Sequence, residues 1–432
     1  MQIDEYRFKV EYNALDLFPL QGDEVQRYYV NRPQNPLIKV EFALRASDKP
    51  CKILIGGLRG SGKTTELSRL AINLKDDFFV VYFHAVECLD LQDINYVQVI
   101  FELTLTLYDS AIKNKININQ KVIDQIKDLV STVSLEEEKK QDGQIGGNAE
   151  FNVQVAKITG SLGVVKGRAT KVTKELEPRF SELIDKFNLL IDEVQKKAKK
   201  KVVIFVEDLD KLSYQFELDL FLRYGEALYS PNCHMVYVAS PSLVYEHGAN
   251  APRNSVSGYH HLLNPSVFTR DGKPNQVSIG FLRKIITARV GNNLFSEDGL
   301  DSIVIHSGGN IRELISLARQ SLLETIMEDS DHINEQHTKK AIRQKQSNFV
   351  RSLTDEQIEL LVALSETNEL RKDGMLINLV YSHAVLEFQD EKGTWHSIHP
   401  CLRQLVKQRL SLKKPTPNIL HTQANNSNAS NE

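Results

Sequence analysis

A glycine-rich octapeptide constrains this chain more than any other feature of its sequence. Residues 57–64 read Gly-Leu-Arg-Gly-Ser-Gly-Lys-Thr, which fits the pattern G-x-x-x-x-G-K-[ST]. The apolar run 51–55 precedes this segment and a helical pattern over 65–74 follows it, which is the strand, loop and helix context that the motif requires. The sequence therefore predicts a phosphate-binding loop at the carboxyl end of a buried strand.

The loop predicts roles for individual residues. Its backbone N–H groups must converge on a β-phosphate, and a Cβ atom on its glycines would obstruct that approach. Lys63 is expected between the β- and γ-phosphates and the Thr64 hydroxyl on Mg²⁺, with the helix N-terminus facing the anion. The expected ligands are ATP and Mg²⁺. The predicted nucleotide-binding residues are Gly57, Arg59, Gly60, Ser61, Gly62, Lys63, Thr64 and Thr65.

A second apolar run, 202–206, ends in a group of acids. Glu207, Asp208 and Asp210 follow it directly, at the strand end where ligands bind in an open α/β sheet. One carboxylate should hold the water shell of Mg²⁺, and another should orient or deprotonate the attacking water. By position Glu207 is the metal-side acid, Asp208 is the leading base candidate and Asp210 is the alternative. The predicted metal site comprises Thr64, Glu207 and Asp208.

Two catalytic candidates come from later segments. Ser240 follows the apolar run 235–239 and either holds the attacking water or the γ-phosphate, or simply starts the turn before Pro241. Arg312 lies at the beginning of a helical pattern, directly after Ser307-Gly308-Gly309-Asn310-Ile311. A guanidinium at that position could fold back on the γ-phosphate.

Apolar runs alternate with helical patterns through the first part of the chain, which predicts a parallel α/β sheet with right-handed crossovers. The interval 84–201 is longer than a crossover needs, so it should hold an insertion, in which 151–164 favours a β-hairpin. Helical spacing dominates after 275, and two short alternating runs, 384–388 and 394–398, flank a turn near the end. The predicted organisation is an N-terminal segment leading into the nucleotide site (1–46), a P-loop NTPase core (47–275) with an insertion at about 110–200, a helical lid (276–350), a small winged-helix-like α+β domain (351–412) and a disordered tail (413–432).

Composition excludes several other classes of protein. The formal net charge is -3, so no overall basic field draws the chain to nucleic acid or to an anionic membrane. The four cysteines form no CxxC pair, which argues against a zinc ribbon, a redox motif and a disulfide framework. No segment approaches the roughly 20 apolar residues of a membrane span, and the first ten residues lack the apolar stretch of a signal peptide. We therefore expect a cytoplasmic protein.

In the order and spacing of these motifs, the chain resembles the AAA+ ATPases, and within them the initiator-like and STAND branches. Residues 57–64 and 202–210 look like Walker A and Walker B, Ser240 like sensor 1 and residues 309–312 like the sensor 2 lid motif. A more general likeness is to P-loop ATPases of bacterial antiphage defence loci. The resemblance implies a nucleotide-driven switch and, in ring-forming members, an arginine that acts in trans. Arg253 is the preferred candidate for that arginine, with Arg270 and Arg223 as alternatives.

The chain also departs from that pattern. Its Glu207-Asp208 order replaces the Asp-Glu of AAA+ members and the Asp-Asp of many STAND members, so slow turnover is expected. No hhGR motif precedes the loop, which leaves 17–32 as the segment expected near adenine. Three functions stay open: a switch ATPase that assembles with itself or with a partner effector, a DNA-binding ATPase of the initiator or transposition-regulator type, and a non-hydrolysing scaffold.

Overall fold

A parallel β-sheet organises the first half of the molecule. The computed structural model describes residues 8–134, 173–241, 243, 256–367 and 374–413. Five strands pair in the order β2-β3-β4-β1-β5, and all neighbours are parallel, so the predicted parallel α/β sheet is confirmed. The strands are β1 (Lys52–Gly56), β2 (Phe78–His84), β3 (Lys201–Glu207), β4 (His234–Val238) and β5 (Gly258–His261).

The central strands are covered on both faces, which is why their sequences are continuous apolar runs rather than alternating ones. In β3, Val203 and Phe205 pack into one hydrophobic cluster. Ile204 and Val206 pack into another on the opposite face of the sheet. Because helices cover both faces of the sheet, a ligand can reach the strands only at their ends. The candidate functional residues lie there.

The helices of the first half include the predicted amphipathic helix before β3. Its apolar stripe, Leu183, Phe187, Leu190, Ile191 and Val194, is buried, as the helical spacing predicts. The β-hairpin predicted for 151–164 lies outside the described residues. The helices are α1 (Lys9–Ala14), α2 (Asp23–Tyr28), α3 (Leu37–Ala46), α4 (Lys63–Leu74), α5 (Ala85–Cys88), α6 (Tyr96–Lys113), α7 (Gln120–Ser134), α8 (Phe180–Ala198), α9 (Tyr214–Leu218) and α10 (Gly225–Tyr229).

Four helices follow in the range expected for the lid. Each begins after a residue whose side chain accepts a hydrogen bond from the first turn, which satisfies one of the backbone donors left over at a helix start. These N-cap residues are Asn275, Ser296, Asn310 and Asn334. The helices are α11 (Gln276–Val290), α12 (Glu297–His306), α13 (Ile311–Met327) and α14 (Glu335–Ser352).

The C-terminal unit carries the predicted β-hairpin. Its two strands pair antiparallel from Val385↔Ile398 to Asp390↔Gly393, so this hairpin is confirmed. One hydrophobic cluster runs from the lid helices into this unit. None of the helices in the described residues is long and apolar enough to cross a membrane. The elements of the unit are α15 (Asp355–Thr367), α16 (Gly374–Tyr381), β6 (Val385–Asp390), β7 (Gly393–Ile398) and α17 (Arg403–Lys413).

Candidate nucleotide site

The glycine-rich loop joins the end of β1 to the start of α4, and its conformation needs glycine. Gly57, Gly60 and Gly62 have φ of 155°, 85° and 95°. A Cβ atom at Gly57 would lie 2.7 Å from the Leu262 carbonyl oxygen, and one at Gly60 would lie 2.4 Å from Asn310 Oδ1. Neighbouring atoms therefore leave no room for a Cβ atom at Gly57 or Gly60.

The loop leads directly into α4, which begins at Lys63. A strand, a G-x-x-x-x-G-K-[ST] loop and a helix in a parallel sheet together define a P-loop. The fold is that of a P-loop NTPase. Around the loop, Arg59 is exposed, whereas the Ser61 hydroxyl is buried and has no hydrogen-bond partner within the described residues.

Lys63 is buried and turned towards the loop. Its Nζ donates to the carbonyl oxygens of Gly57 (2.6 Å) and Leu58 (3.2 Å) and lies 2.9 Å from Asp210 Oδ2. The ammonium group is thus neutralised by one of the predicted acids. An incoming phosphate would take the place of Asp210 as the anion beside Lys63.

The Lys63–Asp210 ion pair leads to a prediction about affinity. Replacing Asp210 with asparagine removes the anion that competes with phosphate for a lysine that is only 7% exposed. We expect ADP to bind about 5-fold more tightly, since removing one competing hydrogen-bonded contact changes the free energy by about 1 kcal/mol. Isothermal titration calorimetry of the variant and the wild type measures the change, and unchanged or weaker ADP binding would contradict this role.

Glu207 ends β3 inside the protein, beside Thr64. Burial raises the pKa of its carboxyl group, and this rise is opposed by a hydrogen bond from Thr64 and the charge of His84. Glu207 is 2% exposed, and its Oε1 atom has no hydrogen-bond partner within the described residues. A buried carboxylate oxygen beside a threonine hydroxyl is the hard-oxygen environment that Mg²⁺ prefers. These two residues fit the predicted metal site.

Asp208 follows in a left-handed conformation, with φ of 73°. Its carboxylate lies 2.6 Å from Lys211 Nζ and 3.8 Å from His84 Nδ1. Burial alone would raise the pKa of Asp208, but its electrostatic interactions with His84 and Lys211 outweigh burial and lower the pKa. A carboxylate with a lowered pKa is a weak base, so this environment favours orienting water over deprotonating it.

His84 was missing from the sequence-based set of site residues. It ends β2 opposite Glu207 in the strand register, and the nearby Asp208 carboxylate raises the pKa of His84. A polar residue directly after the apolar run 78–83 is the signal that could have identified it. That signal becomes informative only once β2 is known to pair with β3.

The start of α13 lies directly on the P-loop. The Arg312 backbone N–H donates to the Gly60 carbonyl oxygen (3.3 Å), and Asn310 Nδ2 donates to the Arg59 carbonyl oxygen (2.9 Å). Burial and the charge of Arg59 lower the pKa of Arg312, while Asp210 opposes the effect. The guanidinium makes no hydrogen bond within the described residues.

Ser240 lies at the same edge of the sheet but is already bonded. It is 7% exposed, and both its backbone N–H and its hydroxyl donate to the Glu217 carboxylate. Glu217 belongs to α9 and is 1% exposed. Sequence reasoning missed Glu217 because an acid in a short helix resembles an ordinary surface residue.

The N-terminal segment contacts the P-loop and the start of α4. Arg32 is buried and donates to the carbonyl oxygens of Ser61 and Leu263, and its Nε lies 3.2 Å from Glu66 Oε1. The hydroxyl of Thr65 accepts a hydrogen bond from the Leu20 backbone N–H (3.2 Å). The segment 17–32, which was expected near adenine, therefore reaches the start of α4.

The arginines considered for action in trans have different surroundings. Arg253 lies outside the described residues. Arg270 is held by both carboxylate oxygens of Asp390, at 2.9 Å each. Arg223 is 70% exposed and lies 4.0 Å from Asp219. Of the two described alternatives, Arg223 has the more accessible guanidinium.

Comparisons with known proteins show distant structural likeness only. No family model matches the chain, and no curated protein matches it. The chain is similar to Cdc6p from Pyrobaculum aerophilum, with 15% identity, 91% of this chain and 100% of that chain covered, and a TM-score of 0.39. It is also similar to the Aeropyrum pernix ORC1 protein in complex with DNA (13% identity, 92% and 95% covered, TM-score 0.42) and to the Thermotoga maritima RuvB Holliday junction branch migration motor (12%, 91% and 98%, 0.40). The parallel sheet and the loop before α4 define the fold independently of these proteins.

Proposed function

We propose that this chain is an AAA+-like switch ATPase that binds ATP with Mg²⁺, hydrolyses it and couples nucleotide state to the position of its lid. The observation that carries the proposal is the contact of the lid helix α13 with the P-loop, through Asn310 and Arg312. A phosphate site of Lys63, Thr64 and Glu207 thus adjoins an arginine that belongs to a separate set of helices.

The proposed chemistry assigns a task to each side chain. Lys63 would exchange Asp210 for the phosphates, and Thr64 with Glu207 would hold a divalent ion, which when bound would neutralise charge on the phosphate oxygens. Asp208, held in place by His84 and Lys211, orients the attacking water. These are the groups that phosphoryl transfer requires, since its catalysis is mainly positioning and electrostatic stabilisation.

Arg312 makes the reaction a switch. Its guanidinium would bind the γ-phosphate, so that ATP stabilises the arrangement in which α13 lies on the P-loop. Hydrolysis removes that phosphate and the interaction that holds the lid, and the resulting domain movement is the output. We propose that this output controls assembly with further copies of the chain or with a partner effector. We also propose a role in bacterial antiphage defence, which is supported only by the resemblance of the motifs to those of ATPases from defence loci.

The DNA-binding alternative depends on the C-terminal hairpin unit. Trp395 packs against Phe388 with ring centroids 4.9 Å apart, and Arg403 stacks over Phe268 at 4.2 Å. These side chains serve packing, so any DNA contact would fall to exposed cations such as Lys407 and Arg409. Duplex binding whose log K falls linearly with log[salt] would support this alternative.

Hydrolysis of ATP by the wild type and by Asp208→Ala tests the proposal. We expect magnesium-dependent turnover in the wild type and about 10²-fold lower kcat in the variant, the usual loss for a group that positions or accepts a proton. Nucleotide affinity should change little, because Asp208 lies beside His84 and Lys211 and its carboxylate does not pair with the P-loop lysine.

Asp192→Ala is the matched control, because Asp192 is an exposed acid on α8. It should retain wild-type turnover. A wild type that binds ATP without hydrolysing it would favour the scaffold function. Equal turnover in wild type and Asp208→Ala would remove Asp208 from the mechanism.

A further inference from the structure

A cavity of about 420 Å³ lies at the edge of the sheet opposite the P-loop. Its lining includes Lys201 and His234, the first residues of β3 and β4. Glu207 ends β3 seven residues along, so the cavity lies about 20 Å from the candidate metal site at roughly 3.3 Å per residue. Ligand pockets usually measure about 300–1,000 Å³. The cavity therefore has the size of a ligand pocket and is separate from the nucleotide site.

Three lysines of this lining have no acidic partner. Lys199, Lys200 and Lys201 form no ion pair within the described residues. The ammonium groups of Lys200 and Lys201 each donate to one backbone carbonyl oxygen, at 2.7 and 2.8 Å, so each keeps two of its three protons. Among the described residues, the lining holds one acid, the exposed Asp48. The lining thus has an excess of positive charge.

A buried lysine beside the cavity also lacks a counter-charge. Lys52 is 6% exposed, and its ammonium group donates to the carbonyl oxygens of Pro231 and Cys233, the second of which belongs to the lining. Burial lowers the pKa of Lys52, and no carboxylate pairs with it in the part of the chain that the structure describes. A buried charge is costly unless it is paired. An anion in the cavity would supply the missing negative charge.

Neutral hydrogen-bond donors complete the lining. Burial and the charges of Lys201 and Lys52 lower the pKa of His234 to about 4, so its ring is neutral at pH 7. Its Nδ1 accepts the Cys51 backbone N–H (3.1 Å), and Nε2 therefore carries the proton. The Gln195 side-chain oxygen accepts a backbone N–H (3.0 Å), which leaves its NH₂ group as a donor. Cationic and neutral donors thus line the same cavity, as the binding of a phosphate group requires.

We propose that the cavity between the amino ends of β3 and β4 binds a phosphate group, carried either by a free inorganic ion or by a small phosphorylated molecule. Lys199 and Lys201 would bind its oxygens, and Lys52 would attract it from within the protein. A phosphate group accepts hydrogen bonds on several oxygens and carries about two negative charges at pH 7, which would offset the excess of lysines. The proposal does not depend on the ATPase function.

Titration of pyrophosphate into the Lys63→Ala protein tests the site by isothermal calorimetry. The Lys63→Ala background is used because pyrophosphate can also bind the P-loop of the wild type. We expect one site with a Kd of about 0.1–1 mM, the affinity of a few charge-assisted hydrogen bonds, which weakens as the salt concentration rises. Lys199→Gln and Lys201→Gln should each raise this Kd about 5- to 10-fold, since each removes one cationic donor.

Lys196→Gln in the same background is the matched control. Lys196 is an exposed lysine in the last turn of α8 and lies outside the lining, so its loss should change the Kd by less than about 2-fold. Equal weakening by Lys196→Gln and Lys199→Gln would show a diffuse attraction to the surface and overturn the proposal. Absence of pyrophosphate binding to Lys63→Ala would overturn it as well.

Lys52→Met tests the contribution of the buried charge. Pyrophosphate should raise the thermal unfolding midpoint of Lys63→Ala, and raise it less when Lys52→Met is added, because the buried ammonium group no longer attracts the anion. A purely structural role for Lys52 would change the midpoint without ligand and leave the ligand-induced rise as it was, which would exclude Lys52 from the site. If Lys52→Met fails to fold, the Lys199 and Lys201 variants still decide.

The source of the phosphate group is tested with inorganic phosphate and phenyl phosphate. Tighter binding of phenyl phosphate would support a small organic ligand, because the cavity has room beside the phosphate group. Tighter binding of inorganic phosphate would support a free ion. Binding of a DNA duplex that depends on Lys199 and Lys201, without binding of either phosphate or of pyrophosphate, would show a nucleic-acid surface and overturn the proposal.

Discussion

Lys63→Ala should reduce kcat/KM for ATP by about 10³-fold, because the Lys63 ammonium group is expected between the β- and γ-phosphates, where it stabilises the charge on the transferred phosphate. The structure places its Nζ within 3.2 Å of two loop carbonyl oxygens and 2.9 Å from Asp210, so the ammonium lies against the backbone of the loop. Phosphate release at varied ATP concentration measures the loss.

Lys75→Ala is the control, because Lys75 directly follows the same helix, α4, and is exposed. It should retain wild-type kinetics. A thermal unfolding assay with Mg²⁺ and ATP adds a binding readout: ATP should raise the midpoint of the wild type and of Lys75→Ala, and raise that of Lys63→Ala much less. Turnover of Lys63→Ala close to that of the wild type would reject the nucleotide site as described.

The P-loop and the strands could be predicted because their signals are local. Residues 57–64 specify their own turn through glycine, and the run 202–206 is apolar throughout because β3 is buried on both faces. The acids at 207–210 could be placed at a strand end for the same reason. The order of the strands could not be predicted, because a strand that is apolar throughout can pair with any other strand of the sheet.

The unpredicted site residues are those whose partners lie far along the chain. Arg32 reaches Ser61 across 29 positions, and Glu217 reaches Ser240 across 23. His84 meets Asp208 only because β2 lies beside β3 in the sheet. Each contact depends on how helices and strands pack against one another, and the spacing of apolar residues in the sequence does not specify that packing.

Two neighbouring residues at the start of α13 differ in how well the sequence predicts their contacts. Arg312 stands out in the sequence because an arginine beside a glycine-rich turn suggests phosphate. Its neighbour Glu313 gives no such signal, yet it points into a cluster that joins the lid to the C-terminal unit. Its carboxylate lies 3.2 Å from His383, 3.0 Å from His399 and 3.1 Å from Lys345.

Glu313→Ala should lower the free energy of unfolding by about 3–5 kcal/mol, the usual cost of leaving the partners of a buried ion pair without their counter-charge. Burial alone would raise the pKa of Glu313, but hydrogen bonds from His383 and His399 and the charge of Lys345 lower it well below its usual value of 4.5. The stabilisation from the carboxylate is therefore complete above pH 4.5 and is lost as the pH falls towards the lowered pKa.

Urea unfolding at pH 7 and pH 4 measures both the loss of stability and its dependence on pH. The difference in the free energy of unfolding between wild type and Glu313→Ala should be smaller at pH 4. His399 acts in the same direction: burial lowers its pKa below 6.5, so its neutral form also stabilises the protein above that pH and loses this effect in acid. Glu335→Ala removes an exposed pair with Lys339 (2.9 Å) and should shift the urea midpoint far less. Equal shifts for the two variants would show that Glu313 does not hold the C-terminal unit on the lid.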